Sequence, residues 1–152
     1  MYSTEASMSE ELQAYYNARK AIERKRTVIR TCEDIVMLMA DLNDSKIEVF
    51  AIIFLDNQNR VITTDRKTGT VDGCSVYPRE VFKKAFDCDA KSIVMVHNHP
   101  GGDSKFSESD KKITQKIYQA GKSLDIELVD HVLLYGTGHS AMRSNPVLWE
   151  NL

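Results

Sequence analysis

The stretch KSIVMVHNHPGG (residues 91–102) decides the fold prediction. Its residues 93–96 are all apolar, which is typical of a strand that is buried on both faces. The six residues from His97 to Gly102 are rich in turn formers. The stretch therefore predicts a buried strand that ends at two histidines, His97 and His99.

The segments on either side alternate between strand-like and helix-like patterns. Lys46 to Leu55 is nearly all apolar and rich in β-formers, which predicts a second buried strand. Ser107 to Leu124 has apolar residues on one side and lysines opposite, which predicts the longest helix. The remaining predicted elements are helices over 32–42 and from Pro78, and strands over 60–65, 70–76, 126–135 and 140–143. This alternation is typical of an α/β fold in which helices pack on the faces of a mixed sheet.

The first 30 residues differ in composition from the rest. An acidic lead runs into RKAIERKRTVIR (residues 19–30), where six of the seven charges are positive. An incomplete apolar stripe predicts a moderately amphipathic helix. The basic stretch suits either contacts to phosphates or a solvated helix face, and the lack of interleaved aromatic residues favours the solvated face. We therefore expect an N-terminal helical arm (1–30) followed by one domain (31–152).

Length and composition limit the class of protein. A chain of 152 residues fits one domain with a single core. Twenty basic against 22 acidic residues give a net charge of -2, which offers no support for a protein that coats nucleic acid. No window approaches the roughly 18 consecutive apolar residues of a membrane span, and the N-terminus lacks the pattern of a secretory signal. We therefore expect a cytoplasmic protein without membrane contacts.

The three cysteines, Cys32, Cys74 and Cys88, are odd in number and form no C-x-x-C pair. This spacing excludes a zinc ribbon and a redox dithiol. Free thiols in a reducing compartment are the expectation.

The chemistry is concentrated between His97 and Asp110. Side chains two apart in an extended strand point the same way, so His97 and His99 can reach one point. Asp110 lies one turn inside the next predicted helix, and two imidazoles with one carboxylate are typical of a catalytic zinc site that leaves a position for water. H-x-H alone is a weak signal, and Ser107 with Asp110 also fits a helix capping box. The two interpretations are compatible, because Ser107 can cap the helix while Asp110 turns towards a metal.

The complete spacing is more specific than its parts. The segment begins with H-x-H-P at His97, has seven residues between His99 and Ser107, and has two more before Asp110. This pattern resembles the motif of the JAB/MPN/JAMM metalloproteases. The resemblance to the RadC-like branch of that family covers residues 31–145. It is carried by the segments VFAIIFLDNQNRVI (49–62), GTVDGCSVYPREVFKKAF (69–86), VMVHNHPGGD (94–103) and LVDHVLLYG (128–136).

The resemblance implies a fold and a set of residue roles. The fold is a three-layer α/β/α arrangement around a mixed sheet, similar in layout to cytidine deaminases. His97, His99 and Asp110 would hold Zn²⁺, Ser107 would donate a hydrogen bond to the oxyanion, and Glu48 would be the general base. From the residues alone, Glu48 is only a carboxylate at the start of an apolar strand, for which a solvated strand end is the simpler account.

The function implied is a zinc-dependent hydrolase, a peptidase or isopeptidase that cleaves an amide bond in a peptide or protein substrate. The alternative is a nucleic-acid-associated, DNA-repair-type binding module with a structural or vestigial zinc site, to which the basic arm would contribute. A pseudoenzyme scaffold is a third possibility, against which the complete motif argues. The residues leave the physiological substrate and the oligomeric state open.

Two further histidines have separate interpretations. Asp130-His131 lies within a predicted strand, where a hydrogen-bonded structural pair is the simpler account and a position behind the metal ligands is the alternative. We expect His139, in a glycine-rich turn, to be exposed.

Overall fold

The computed structural model describes residues 9–24, 26–68 and 76–152, with backbone alone for residues 23 and 24. The strands are β1 (Val49–Leu55), β2 (Val61–Thr68), β3 (Ser92–Asn98), β4 (Glu127–Tyr135) and β5 (Gly138–Ala141). The helices are α1 (Glu10–Arg24), α2 (Cys32–Leu38), α3 (Pro78–Asp87), α4 (Glu108–Ser123) and α5 (Pro146–Trp149), with 3-10 turns at Ala40–Asp44 and Met142–Ser144. Among the described helices, none combines the length and the apolar character that crossing a membrane requires.

The five strands form one mixed sheet in the order β2-β1-β3-β4-β5. β1 is antiparallel to β2 and to β3, β3 is parallel to β4, and β4 is antiparallel to β5. Parallel neighbours cannot be joined by a tight hairpin, and α4 forms the crossover from β3 to β4. As a result, α4 begins at the edge of the sheet where β3 ends.

Hydrophobic cores lie on both faces of the sheet. Every residue of β1 and β3 is buried, because helices cover these central strands on both sides. Phe50 and Met95 pack with residues of α3 and α4, whereas Ala51 and Val96 pack with residues of α2 and the turn that follows it. The layers are helix, sheet and helix, which confirms the predicted mixed α/β fold.

Some elements have different bounds from those predicted. The helix predicted over 32–42 is divided into α2 and a 3-10 turn, because Met39 has φ -108° and ψ 15° and leaves the α conformation. The strand predicted over 140–143 begins two residues earlier as β5, because Gly136 has φ 48° and forms a tight turn directly after β4. The strand predicted over 70–76 lies outside the described residues, apart from Val76, which is not in a strand.

The two ends of the chain carry short helical elements. α1 confirms a helix in the N-terminal segment, and its side chains from residue 10 to residue 22 are exposed. The division into an arm (1–30) and a domain (31–152) stays a prediction. α5 was not predicted, although Asn145 as its N-cap and Pro146 in its first turn are ordinary start signals.

Candidate metal centre

Two histidines meet at the C-terminal end of β3. His97 is the penultimate residue of the strand and His99 directly follows it, so both side chains leave the same face of the sheet. Their Nε2 atoms are 3.1 Å apart. His97 is fully buried, and its ring stacks on Phe50 at a centroid distance of 4.5 Å. The central strand β3 therefore places the two imidazoles next to each other, and packing against Phe50 fixes the ring of His97.

Asp110 reaches the same point from the first turn of α4. Its Oδ2 lies 3.1 Å from His97 Nε2 and 3.3 Å from His99 Nε2. The same oxygen accepts the backbone N–H of Ser107 at 2.8 Å, and Ser107 Oγ accepts the N–H of Asp110 at 3.1 Å. This is a complete capping box. The capping box is therefore present, and it is compatible with the metal-site interpretation, because the same oxygen lies beside both imidazoles.

The Asp110 carboxylate is held in its charged form. Burial opposes ionisation, but the contact with the His97 ring and the hydrogen bonds from Ser107 outweigh burial and lower the pKa of Asp110 well below its usual range. A carboxylate must be deprotonated to bind a metal. Asp110 meets that condition at neutral pH.

Glu48 completes the cluster from the residue before β1. Its Oε1 is 3.9 Å from His97 Nε2, and its side chain is 43% exposed. Ligand atoms of Glu48, His97, His99 and Asp110 all lie within 4.8 Å of one another. Glu48 is partly exposed directly before β1, as the prediction of a solvated strand end requires. The antiparallel pairing of β1 with β3 also places it near the two histidines.

The distances within the cluster fit a divalent metal. Zinc-to-ligand distances of about 2.0–2.1 Å in a tetrahedral site place neighbouring ligand atoms about 3.3 Å apart. The two Nε2 atoms and Asp110 Oδ2 are separated by 3.1, 3.1 and 3.3 Å. Two imidazole nitrogens and one carboxylate oxygen also form a donor set that zinc accepts. Glu48 lies farther out, at 3.9 Å from His97 Nε2, and its side chain is more exposed than those of His97, His99 and Asp110.

Comparison with known proteins identifies the family of this chain. A family model for the RadC-like JAB domain matches residues 29–147. The chain belongs to the RadC-like JAB domain family. A UPF0758 protein of Vibrio cholerae is 42% identical over 112 residues, which are 73% of this chain and 71% of the relative.

UPF0758 proteins of Actinobacillus pleuropneumoniae and Haemophilus influenzae are similar to this RadC-like JAB domain over a smaller share of their length. They are 41% and 40% identical over 101 and 100 residues, which are 66% and 65% of this chain. The matched region covers 46% and 45% of these relatives. The names of these relatives specify a family and no reaction.

A buried asparagine of the RadC-like JAB domain holds the backbone on both sides of Glu48. Asn98 Oδ1 accepts the N–H of Val49 at 2.6 Å, and Asn98 Nδ2 donates to the carbonyl of Ile47 at 3.0 Å. The ladder between β1 and β3 ends at the pair Phe50–His97, and these side-chain bonds lie directly beyond it. β1 begins at Val49 rather than at Lys46. Sequence reasoning missed this role, because an asparagine in a turn-rich segment is typical of a turn.

The other two histidines have different surroundings. Asp130 accepts the backbone N–H of His131 at 2.7 Å, and not its ring. The fully buried ring of His131 instead lies 2.7 Å from His97, between Nε2 and Nδ1. His131 therefore lies behind the candidate ligand His97, in agreement with the second of its two interpretations. His139 is exposed, as predicted.

A cleft of about 700 Å³ lies beside the cluster. Lys105, Phe106, His139 and Ser140 are among its lining residues, whereas none of the four cluster residues lines it. The centroid of the Phe106 ring is 6.0 Å from that of His97 and 5.1 Å from that of His131. Phe106 therefore contributes to both the cleft and the surroundings of the cluster.

Proposed function

We propose that this RadC-like JAB domain is a zinc-dependent hydrolase, a peptidase or isopeptidase that cleaves an amide bond in a peptide or protein. The observation that carries the proposal is the convergence of His97 Nε2, His99 Nε2 and Asp110 Oδ2 at separations of 3.1–3.3 Å. A bound zinc ion would lower the pKa of its water to about 7 and polarise the substrate carbonyl.

Glu48 acts as the general base in this proposal. Its carboxylate is 43% exposed and lies 3.9 Å from His97 Nε2, where it would accept a proton from the attacking water. The same carboxyl group then passes that proton to the leaving amine. Proton transfer by a positioned side chain contributes typically about 10²- to 10⁴-fold to the rate.

Ser107 acts as the donor to the oxyanion. Its Oγ already accepts the N–H of Asp110, so the rotation of the hydroxyl is restrained while its own hydrogen remains available. A hydroxyl can accept and donate at the same time. Ser107 would therefore donate that hydrogen to the carbonyl oxygen as its negative charge develops.

The test compares Glu48→Gln with the unaltered chain in a digest of a peptide library after zinc loading. We expect the variant to retain zinc, since Glu48 is not one of the three close ligands, and to lose about 10²-fold or more of the hydrolysis. Glu127→Gln is the matched control, because Glu127 is also an exposed carboxylate at the start of a strand. Undiminished hydrolysis by Glu48→Gln would remove Glu48 from this role, and a wild-type chain without bound zinc would remove the proposal.

The nucleic-acid-associated alternative makes a different prediction. Affinity for duplex DNA would fall steeply with salt, and deletion of residues 1–30 would abolish that dependence. No specific contact among the described residues favours this alternative over the hydrolase. A preparation that binds DNA in this way and hydrolyses no peptide would reverse the choice.

A further inference from the structure

A chain of buried polar groups lies behind His97, and the proposed mechanism does not use it. Thr114 Oγ1 is 2.6 Å from the carbonyl oxygen of Asp110 and 2.6 Å from His131 Nδ1. His131 Nε2 is 2.7 Å from His97 Nδ1. Thr114, His131 and His97 are all 0% exposed. The chain therefore runs from the backbone of α4 to a candidate metal ligand without contact with solvent.

The direction of each hydrogen bond follows from the first one. A carbonyl oxygen only accepts, so the Thr114 hydroxyl gives its single hydrogen to the carbonyl of Asp110. The opposite orientation would leave two acceptor oxygens 2.6 Å apart without a hydrogen between them. Thr114 Oγ1 must then accept from His131, which places a hydrogen on His131 Nδ1.

The next bond sets the state of His97. The His131 ring is 0% exposed, and its two nitrogens lie within hydrogen-bond distance of the Thr114 hydroxyl and the His97 imidazole rather than of a carboxylate. A positive charge on this buried ring would have no anionic partner in contact with it, so His131 is neutral. A neutral imidazole carries one hydrogen, so His131 Nε2 is an acceptor and His97 Nδ1 must be the donor. His97 Nε2 is the remaining nitrogen, and it is the one that faces His99 and Asp110.

We infer that Thr114 and His131 are positioning residues that set the tautomer of His97, so that its Nε2 lone pair is available to a metal ion. The inference rests on the proposed function, because it concerns the same metal site. α4 thereby contributes to the site twice: through the carboxylate of Asp110 and, by way of Thr114, through the backbone carbonyl of the same residue. His99 is oriented more simply, by a single bond from Nδ1 to the carbonyl of Asp103 at 2.9 Å.

The first arm of the test measures zinc affinity by competition with a chromophoric chelator. Thr114→Val removes the hydroxyl and preserves the shape of the side chain, whereas Thr114→Ser keeps the hydroxyl. Loss of a partner behind a metal ligand typically lowers metal affinity about 10- to 100-fold. We expect that loss for Thr114→Val and affinity close to wild type for Thr114→Ser. Thr64→Val, on β2, is the matched control for removal of a threonine hydroxyl.

The second arm needs no zinc. Long-range ¹H–¹⁵N correlation spectra of the metal-free chain report which ring nitrogen of His131 carries the hydrogen. We expect Nδ1–H for His131 in the wild type and in Thr114→Ser, and a mixture of tautomers in Thr114→Val.

The two arms separate failure of this inference from failure of the proposed function. A wild-type chain that binds no zinc but shows His131 as the Nδ1–H tautomer would end the hydrolase proposal and leave the order of the hydrogen bonds supported. Tight zinc binding combined with an Nε2–H tautomer for His131, or with equal affinities for Thr114→Val and wild type, would overturn the inference.

Discussion

Single side chains at the site satisfy backbone groups and position chemistry at the same time. Asp110 Oδ2 accepts the N–H of Ser107 while it faces the two imidazoles. Asn98 satisfies the N–H of Val49 and the carbonyl of Ile47. Because a buried backbone N–H requires a partner, the position of each functional group is coupled to the local stability of the fold.

Replacement of Asn98 by Ala tests this coupling. The change leaves the buried N–H of Val49 without a partner, so we expect the free energy of unfolding to fall by about 1–3 kcal/mol in urea titrations. We also expect peptide hydrolysis to fall more than zinc affinity, because the side chain holds the backbone around Glu48 and not a metal ligand. Asn57→Ala, in an exposed turn, is the control. Equal losses of zinc affinity and hydrolysis would show that Asn98 acts on the ligands instead.

Two helices of this domain begin with a capping box, and only one of these helices contributes a residue to the cluster. α2 starts with a capping box between Thr31 and Asp34, and α4 starts with one between Ser107 and Asp110. The bonds are similar: 2.9 Å and 3.3 Å in the first, and 2.8 Å and 3.1 Å in the second. The difference lies in what surrounds the second carboxylate, namely the end of β3.

This pair of helices offers a matched comparison for Ser107. Thr31→Ala and Ser107→Ala each remove a capping hydroxyl, so we expect each to lower the free energy of unfolding by about 1 kcal/mol. Only Ser107→Ala should also lower kcat, by about 10²- to 10³-fold, since it removes the proposed donor to the oxyanion. Equal kcat values for the two variants would restrict Ser107 to helix capping.

At the level of the whole molecule, three separate elements contribute to one cluster. Glu48 precedes β1, His97 lies near the end of β3, and Asp110 lies in the first turn of α4. The antiparallel pairing of β1 with β3 and the crossover between β3 and β4 bring these ends to the same edge of the sheet. The unfolded chain does not hold these groups together, so a metal ion would bind the folded state preferentially.

Zinc should therefore stabilise the fold. At a free zinc concentration 100 times the Kd, the free energy of unfolding should rise by about 2.7 kcal/mol, measured by urea titration with zinc and with a chelator. Asp110→Asn is the control, because its amide oxygen can still accept the N–H of Ser107 while the anionic ligand is lost. The prediction is contradicted if zinc shifts the unfolding of the variant and the wild type equally, or shifts neither.

The sequence supported a large part of this description, and the remaining gaps have physical causes. The four apolar residues at 93–96 predicted a buried strand, and the spacing from His97 to Asp110 predicted which donors would meet. The bounds near Met39 and Gly136 were wrong by a few residues, because helix ends and turns depend on individual backbone angles. Glu48 entered only through the family resemblance, since a carboxylate before an apolar strand has no pattern of its own.

Local periodicity is a property of neighbouring residues. The sequence alone was therefore sufficient to predict the central strand, the paired histidines and the helix that carries Asp110. The partners of those residues are distant in the chain: Asn98 and Val49 are 49 positions apart, and Thr114 and His131 are 17 apart. Such contacts depend on which strands pair and on which face a helix packs. The hydrogen bonds of Asn98 on both sides of Glu48 and the hydrogen bonds behind His97 could therefore be seen only in the folded molecule, where strand order brings these residues together.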